Sequence, residues 1–502
     1  MSNIPTTQTV KTTKLSGKVW LSAILFGLVG QIAWSVENMF FAKLAQDIYD
    51  GRDAVLYSVI PNVMVWLSAI VATATTIFAG GFIDKMGKRK PFVAYGYIIW
   101  GITIMIFAIF PLKPEASQFG LIAAGLIVFD CIMTFFGSTA NDAAFNTWLT
   151  DVTDNTNRGK VNSIMSIFSI LAFVIVFLLA GFTYEAGNSM IFFIILGIIP
   201  IVVGIIAIFT MKDSPKIVKN SNPNYWKETF YGFRLSVMKN NKMLYVCLTA
   251  SCILGISQQT FFTYLIKFIT NTLGITDYFV PLAIVIVLAG AITGASGVLF
   301  DKFGKKNFFI PITILVTIST LVIYLMKFMP KTSYIYVLTA VGTVMLGALL
   351  SGGSALMSTF QDYIPKGGEG RFQGVRMCFT VLLPMLIGPL ITMCLNLDKI
   401  DTTAESFQPP FEIFLAAAIV AVFAIIPIVF VMLDADKLRK RKMEEKLAEQ
   451  QAEAEAAETA ETAEEVVEET MEEAPVGEEL EPVCTCGVDC EGACPFPDGN
   501  EE

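Results

Sequence analysis

The sequence contains no histidine among its 502 residues, and only 16% of its residues are charged. Soluble domains carry about 25% charged residues, whereas 54% of this chain is hydrophobic and its mean hydropathy is +0.63. Without histidine, a Ser-His-Asp triad, a histidine-ligated metal centre and a histidine proton shuttle are excluded. The excess of apolar residues indicates a polytopic membrane protein, and no catalytic constellation indicates an enzyme.

The net charge of −9 combines two regions of opposite sign. Residues 443–502 hold 21 Asp and Glu residues and one Lys, a net charge of −20. Residues 1–442 carry a net charge of +11. The sequence therefore predicts a basic membrane body with an acidic tail, in which basic residues set the topology and no nucleic acid is bound.

Twelve apolar runs are long enough to cross the ~30 Å hydrocarbon core, which takes about 20 helical residues. They lie near 18–45, 57–80, 91–111, 119–149, 160–182, 190–211, 242–270, 278–299, 307–328, 334–360, 371–396 and 409–433. The first run is too long for a cleavable signal, so we expect it to remain as a helix. The expected organisation is an N-terminal segment (1–17), two six-helix halves (18–211 and 242–433), a central loop (212–241) and a flexible acidic tail (434–502).

The distribution of Lys and Arg predicts the orientation of this all-α membrane protein. With a cytoplasmic N-terminus, 28 of the 35 basic residues fall on the cytoplasmic side. The remaining seven are Lys43, Arg52, Lys113, Lys267, Lys327, Lys331 and Lys399. We therefore expect a multi-pass protein of the cell (inner) membrane with both termini in the cytoplasm.

Three matched segments indicate that the two halves are duplicates. GGFIDKMGKR (80–89) matches GVLFDKFGKK (297–306), and VENMFFAKL (36–44) matches SQQTFFTYL (257–265). WLTDVTDNTNR (148–158) matches TFQDYIPKGGEGR (359–371). Membrane bundles built from repeats are typical of transporters, with the binding site between the halves near the midplane.

The first matched pair is a loop motif that follows the second helix of each half. Its residues are Gly80, Asp84, Lys85, Gly87, Lys88 and Arg89 in the first half, and Gly297, Asp301, Lys302, Gly304, Lys305 and Lys306 in the second. The glycines suit a tight turn, and the Asp suits a helix cap or a pair with a basic residue across the half that latches one gate state. An ordinary positively charged loop is the alternative.

Twelve spans with this motif after helices 2 and 8 resemble the major facilitator superfamily over about residues 15–435. The resemblance implies two six-helix domains that rock about a central cavity. NDAAFNTWLTDVTDNTNRG (141–159) also resembles the end of helix 4 in the glycoside–pentoside–hexuronide:cation symporters, and is similar to the sucrose/disaccharide:proton symporters. That resemblance implies that Asp142 serves both sugar and coupling cation. Helix 2 (57–80) lacks the acidic residues of the sodium-coupled members, which favours H⁺ over Na⁺.

The ionisable residues that we place within the membrane are Glu37 in helix 1, Asp130 and Asp142 in helix 4, and Lys267 in helix 7. A charge at the bilayer centre costs roughly 3 kcal/mol or more, so each is a functional candidate. Asp130 and Asp142 are about 120° apart on helix 4, so at most one points down a narrow cavity. The carboxyls are candidates for proton coupling, or form structural pairs with neighbouring helices. Lys267 is a candidate substrate contact that pairs with Glu37 or Asp130, or snorkels outward, and we favour snorkelling.

A polar stripe on helix 1 suits a sugar. Gln31, Trp34 and Asn38 share one helix face, where amides can bond hydroxyls and the ring can cover an apolar sugar face. Gln258 and Gln259 occupy the repeat-related position of helix 7. A polar cluster for helix packing is the alternative.

Two repeat-related pairs follow helices 4 and 10. Asp151 and Asp362 end these helices, and Arg158 and Arg371 open the next ones. We expect cytoplasmic gate or capping contacts, with solvated loops as the alternative.

The tail ends in a cysteine cluster formed by Cys484, Cys486, Cys490 and Cys494. Four thiolates could bind zinc or an Fe–S cluster, since the cytoplasm keeps thiols reduced. Their spacing is not a common zinc pattern, so an unligated or redox-active tail is the alternative. No other cofactor is expected.

The sequence thus predicts a secondary transporter that carries a sugar or glycoside together with a cation, H⁺ in preference to Na⁺, by alternating access. One alternative is antiport that exports a drug or organic solute. The other is a transporter-like sensor that signals through the tail.

Overall fold

The computed structural model describes residues 16–153, 158–213, 230–365, 369–397 and 407–434, together with Lys437 and Glu444. The chain separates into two units, Met1–Leu438 and Arg439–Glu502. The four cysteines predicted as a metal site belong to the second unit and lie outside the described residues.

The first unit is built from helices that match the twelve predicted spans. Within the described residues, eleven helices are long and apolar enough to cross a membrane, and a twelfth contains the shorter apolar segment Ile167–Phe182. They are α1 (Gly17–Tyr49), α2 (Val55–Met86), α3 (Lys90–Ile109), α4 (Ala116–Val152), α5 (Arg158–Phe182), α6 (Ser189–Thr210), α7 (Lys242–Phe262), α8 (Phe279–Phe300), α9 (Lys305–Phe328), α10 (Lys331–Tyr363), α11 (Gly374–Leu395) and α12 (Glu412–Asp434).

The helices carry apolar residues on all sides because one face meets lipid and the other meets protein. On α6, Ile198, Val202, Ile205 and Phe209 form an exposed stripe, and the opposite face is buried. At the midpoint of α3, Gly101 lies directly against the backbone of Gly197 on α6. A Cβ at either position would collide with the facing helix, so these small residues permit the close approach of the two helices.

The two halves meet along α2 and α11 and along α5 and α8. The indole Nε1 of Trp66 on α2 donates to the Leu386 carbonyl on α11 at 3.0 Å. On the other side of the bundle, Gly290 of α8 packs against Ile170 of α5. Between these two seams the halves enclose the space in which the candidate site lies.

Both loop motifs end their helices with a glycine in the left-handed region. Gly87 has φ +65° and Gly304 has φ +84°. The first turn of α3 is then capped by Asp213, whose carboxylate accepts the N–H groups of Arg89 and Lys90 at 2.9 and 2.8 Å. We call the side of the bundle that carries Gly87 and Gly304 the motif face, and the other side the opposite face.

The prediction that Gly80 belongs to the turn is wrong. Helix α2 continues to Met86 and includes both Gly80 and Asp84. The charged pair Asp84–Lys85 interrupts the apolar run but not the helix, because charged side chains are tolerated where a helix leaves the hydrocarbon. Gly297 is likewise helical.

Substitution of the motif glycines should separate turn positions from helical ones. Gly87→Ala and Gly304→Ala should destabilise the protein by about 1–2 kcal/mol each, since an L-residue is strained at positive φ. Gly80→Ala and Gly297→Ala are the matched controls: no atom lies within 4 Å of the added methyl, and Ala favours a helix over Gly. Thermal unfolding in detergent measures all four. Equal losses in both pairs would contradict the assigned turn geometry.

Candidate functional site

A polar cavity lies between the two halves and is the main candidate site. Its volume is about 360 Å³, and its walls come from α1, α2, α4, α7 and α11. Three charged residues line it, Glu37 and Asp142 from the N-terminal half and Arg376 from the C-terminal half. Because these positions lie at the middle of their helices or towards the motif face, the cavity occupies the centre and the motif-face half of the bundle.

The charged residues lie at irregular turns of their helices. Glu37–Phe41 on α1 and Ser138–Phe145 on α4 are π-helical, and the second segment includes Asp142. On α11, the π-helical segment Cys378–Leu382 begins two residues after Arg376. A π-helical turn holds one residue more than an α-helical turn and is frequent at functional sites. It changes the direction in which the following side chains point, which a regular helical period does not predict.

Behind the cavity, Glu37 meets a second carboxyl from α4. The Thr134 hydroxyl donates to Glu37 Oε1 at 2.7 Å, and Asp130 lies one helical turn from Thr134. Asp130 is 2% exposed, and Glu37 Oε2 and Asp130 Oδ1 are buried with no hydrogen-bond partner among the described residues. An ionised carboxylate in such surroundings is costly unless it is neutralised. These two oxygens are therefore places where a proton or a cation can be held.

The wall of the cavity carries opposite charges from the two halves. Asp142 on α4 and Arg376 on α11 both line the cavity and attract each other electrostatically. The count of basic residues assigns Arg376 to the cytoplasmic side, although it falls inside the predicted span 371–396. A basic residue inside a predicted span was the signal that could have identified Arg376 as a candidate site residue.

Three of the six predicted substrate contacts line the cavity and three do not. Trp34, Asn38 and Gln259 are on its wall, and the Trp34 ring packs against Trp100 with centroids 5.1 Å apart. Gln31 instead accepts a hydrogen bond from the Ser169 hydroxyl at 2.8 Å and is absent from the wall. The prediction that Gln31 contacts the substrate is therefore wrong.

Gln258 lines a different, apolar cavity. This cavity has a volume of about 130 Å³ and lies between α5, α7, α8 and α10. Phe173, Phe177, Phe261 and Phe262 contribute to its wall. The neighbouring glutamines therefore face two separate spaces, because consecutive residues of a helix point about 100° apart.

The structure corrects the interpretation of Lys267. Its side chain is buried rather than snorkelled, and it pairs with neither Glu37 nor Asp130. Its Nζ lies 2.8 Å from Asp47 Oδ1 and 2.7 Å from Asp50 Oδ2, at the opposite face. It is not on the wall of the polar cavity.

Lys267 is part of a larger group of charges at the opposite face. We define the charge cluster as Lys43, Asp47, Asp50, Glu185 and Lys267. Lys43 Nζ lies 2.8 Å from Asp47 and 3.3 Å from Glu185. Since Asp47 and Asp50 belong to the N-terminal half and Lys267 to the C-terminal half, the cluster links the halves.

Uncharged contacts close the same end of the bundle. Gln46 Nε2 donates to the Thr263 carbonyl at 3.2 Å. Asn62 Nδ2 donates to the Tyr264 hydroxyl, which donates in turn to the Ser58 carbonyl, both at 2.9 Å. The opposite face is therefore held shut by bonds between the halves.

At the motif face, the motif charges pair within their own half. Arg89 Nη2 lies 2.6 Å from Asp84, and Arg89 Nε lies 3.1 Å from Asp151. Lys305 Nζ lies 3.1 Å from Asp362 in the C-terminal half. The motif thus ties helices together inside each half, and the expected capping role of Asp84 is wrong, because Asp213 caps α3. Three further predicted gate residues, Asp301, Arg158 and Arg371, have side chains outside the described part.

The twelve membrane-type helices of the described residues, in two halves around a central polar cavity, define a polytopic membrane protein of the carrier type. A family model described as Major Facilitator Superfamily matches residues 19–389. The chain therefore belongs to this superfamily.

Solved transporter structures share this fold. A D-xylose–proton symporter is similar with a TM-score of 0.64 at 15% identity, over 82% of this chain and 96% of that chain. A mutant of the nucleoside transporter NupG has a TM-score of 0.63 at 14% identity, over 82% and 99%. A bacterial homologue of the human lysosomal transporter Spinster, inward-facing and unoccupied, has a TM-score of 0.62 at 13% identity, over 85% and 99%. At these identities the similarity shows the fold alone, and no curated protein matches significantly.

Removal of the central cation of the charge cluster should open the opposite face. Lys267→Gln leaves Asp47 with Lys43 as a partner but deprives Asp50 of its ion pair. We expect a loss of about 1–2 kcal/mol for the closed state, and thus about 5- to 30-fold more of the state open at this face. The measurement is the labelling rate of a cysteine introduced by Gln259→Cys, in a background without other span cysteines, by an impermeant maleimide supplied on the opposite face.

The matched control is Lys331→Gln, because Lys331 is an exposed lysine at the same face. It should leave the labelling rate unchanged. Equal rates for Lys267→Gln and Lys331→Gln would show that the charge cluster does not hold this face closed.

Proposed function

We propose that the protein is a secondary active transporter that takes up a sugar or another small hydroxylated solute together with H⁺, by alternating access. The observation that carries this proposal is the polar cavity between the halves, in which carboxyl groups of one half stand beside amide groups that suit hydroxyls. Glu37 and Asp142 supply the carboxyls, and Asn38, Asn146 and Gln259 supply the amides.

The proposed orientation follows from the basic residues. The motif face carries Lys88, Arg89, Lys305 and Lys306, and by the positive-inside rule these basic residues support a cytoplasmic position for it. In this orientation the charge cluster lies at the outer side of the cell membrane. With the halves bonded to each other at the outer end, the conformation corresponds to one that faces inward.

The choice of H⁺ rests on the kind of groups available. The acidic residue of α2, Asp84, is paired with Arg89 at the motif face and is absent from the cavity wall. A sodium ion needs several oxygen ligands together, and among the described residues no three or more His, Cys, Asp or Glu side chains are grouped so that they could hold a metal ion. A proton needs one carboxyl oxygen, and Glu37 Oε2 and Asp130 Oδ1 are buried without partners.

The proposed cycle couples these groups to the movement of the halves. Open to the outside, the cavity takes a proton on its carboxyls and a solute on its amides and Trp34. Neutralised carboxyls lower the cost of closing the cavity away from water. The charge cluster then forms at the outer end, and solute and proton leave at the motif face.

One observation favours the alternative function, which is the export of an apolar solute. The second cavity, with its phenylalanine wall, suits an apolar compound. Its volume is about 130 Å³ against about 360 Å³ for the polar cavity, and none of the described residues on its wall is charged. The larger space and the ionisable groups therefore favour the polar solute.

The function can be tested by the pH of a lightly buffered medium around energy-depleted cells that express the protein. Sugars and glycosides are added one at a time, with and without sodium. We expect alkalinisation with at least one class of sugar, since a solute that enters with H⁺ removes protons from the medium. Uptake that depends on sodium without a pH change would contradict the choice of ion, and silence towards every sugar would favour the exporter or the sensor.

Asp142→Asn should uncouple transport. The amide cannot exchange a proton, so accumulation against a gradient should fall at least tenfold while exchange of solute down its gradient continues. The matched control is Asp277→Asn, an exposed carboxylate at the opposite face, which should accumulate solute at the wild-type level. Both rates are measured with the labelled solute identified by the pH assay. Wild-type accumulation by Asp142→Asn would remove Asp142 from coupling.

A further inference from the structure

Among the described residues, Arg376 is the cation on the wall of the polar cavity. It comes from the C-terminal half, whereas the carboxyls of the wall come from the N-terminal half. A guanidinium stays protonated at any physiological pH and presents a planar set of donors that matches a carboxylate or a phosphate. A charged group in a cavity at membrane depth is energetically costly unless it binds an anion.

Several ionisable groups face Asp142, the anion that attracts Arg376. Within the described residues they are Arg376 on α11, Glu37 on α1 and the phenol of Tyr97 on α3. Tyr97 donates its hydrogen to the Phe26 carbonyl at 2.8 Å and does not line the cavity. Helices α2 and α7 contribute only uncharged residues to this wall. Arg376 is therefore the positive charge among these groups.

We infer that the transported solute carries an anionic oxyacid group and that Arg376 binds this group in place of Asp142. A carboxylate is preferred to a phosphate because its single negative charge is balanced by the single proton that binds Asp142. The inference rests on the proposed function and names the class of solute. The amides of the cavity bind its hydroxyls, so the solute is a sugar-like acid rather than a neutral sugar.

The exchange follows from charge balance in the cavity. A proton that binds Asp142 cancels its negative charge and weakens its attraction for Arg376. The guanidinium then attracts the anionic group of the solute, so proton and solute favour each other's binding. One proton and one monoanion together carry no net charge, and the loaded cavity has the same charge as the empty one. Transport of the monoanion with one proton is therefore electroneutral.

The first test uses the wild-type protein in liposomes with a pH-sensitive dye inside. The probes are glucose, glucuronate and glucose 6-phosphate, which share a ring and differ in their charged group. We expect acidification of the interior with glucuronate and little with glucose. A membrane potential imposed with potassium and valinomycin should change the glucuronate rate less than twofold, because no net charge moves.

The second test alters the cation. Arg376→Gln should raise the apparent KM for glucuronate about 10- to 100-fold, the ratio expected for loss of a charge-assisted hydrogen bond. Arg376→Lys should recover part of this loss, and recover more of it for the phosphate than for the carboxylate if the phosphate is transported, since lysine acts as a point charge. The matched control is Arg234→Gln, an exposed arginine outside the cavity, which should behave as wild type.

The outcomes separate the two proposals. Acidification with glucose that an interior-negative potential accelerates would overturn the anionic solute and leave proton-coupled sugar uptake standing. Glucuronate transport with an unchanged KM in Arg376→Gln would overturn the role of Arg376. A response to glucose 6-phosphate alone would overturn the preference for a carboxylate.

Silence of the wild type towards all three probes would overturn the inference, and the broader sugar panel then decides the proposed function. If Arg376→Gln fails to fold, the potential dependence of the wild type and the Arg376→Lys variant still decide.

Discussion

Ion pairs between the halves decide which end of the cavity is closed. Lys267 of the C-terminal half meets Asp47 and Asp50 of the N-terminal half at 2.8 and 2.7 Å. Charges so far removed from water are stable only with partners, so this face cannot open without rehydrating three charged groups. At the motif face, the pairs of Arg89 and Lys305 stay within one half. Those bonds stiffen each half and place no restraint on its movement relative to the other.

The fold was largely predictable because hydrophobicity and duplication act over whole helices. Twelve apolar runs and three matched segments were sufficient for the twelve-helix, two-half architecture. Helix ends were less predictable, as α2 shows: the apolar run stops at Gly80, but the helix continues through Asp84 to Met86. Burial ends where the hydrocarbon ends, whereas backbone hydrogen bonds continue until a residue such as Gly87 leaves the helical region.

The site was predictable where a single charged residue lies within an apolar run. Glu37 and Asp142 were found because carboxyls are costly inside an apolar run. Partners were missed where they fell beyond the apparent end of the run. Lys43, Asp47 and Asp50 follow at i, i+4 and i+7, a spacing that places them on one face of α1, and that signal was available. The π-helical segments were not predictable, since one extra residue per turn leaves no mark in a pattern of apolar spacing.

The charge cluster and the ionisable groups in and behind the polar cavity differ in whether neighbouring side chains satisfy them. In the charge cluster, every acidic side chain accepts an ion pair or hydrogen bond from another side chain. In and behind the cavity, Glu37 Oε2 and Asp130 Oδ1 accept none from the described residues, and Asp142 and Arg376 line the same cavity of about 360 Å³. The complete set fixes a conformation, whereas the incomplete set leaves places for a proton and an anion that come and go. A carrier needs both, because a site that was fully satisfied by its own side chains would have no reason to bind its cargo.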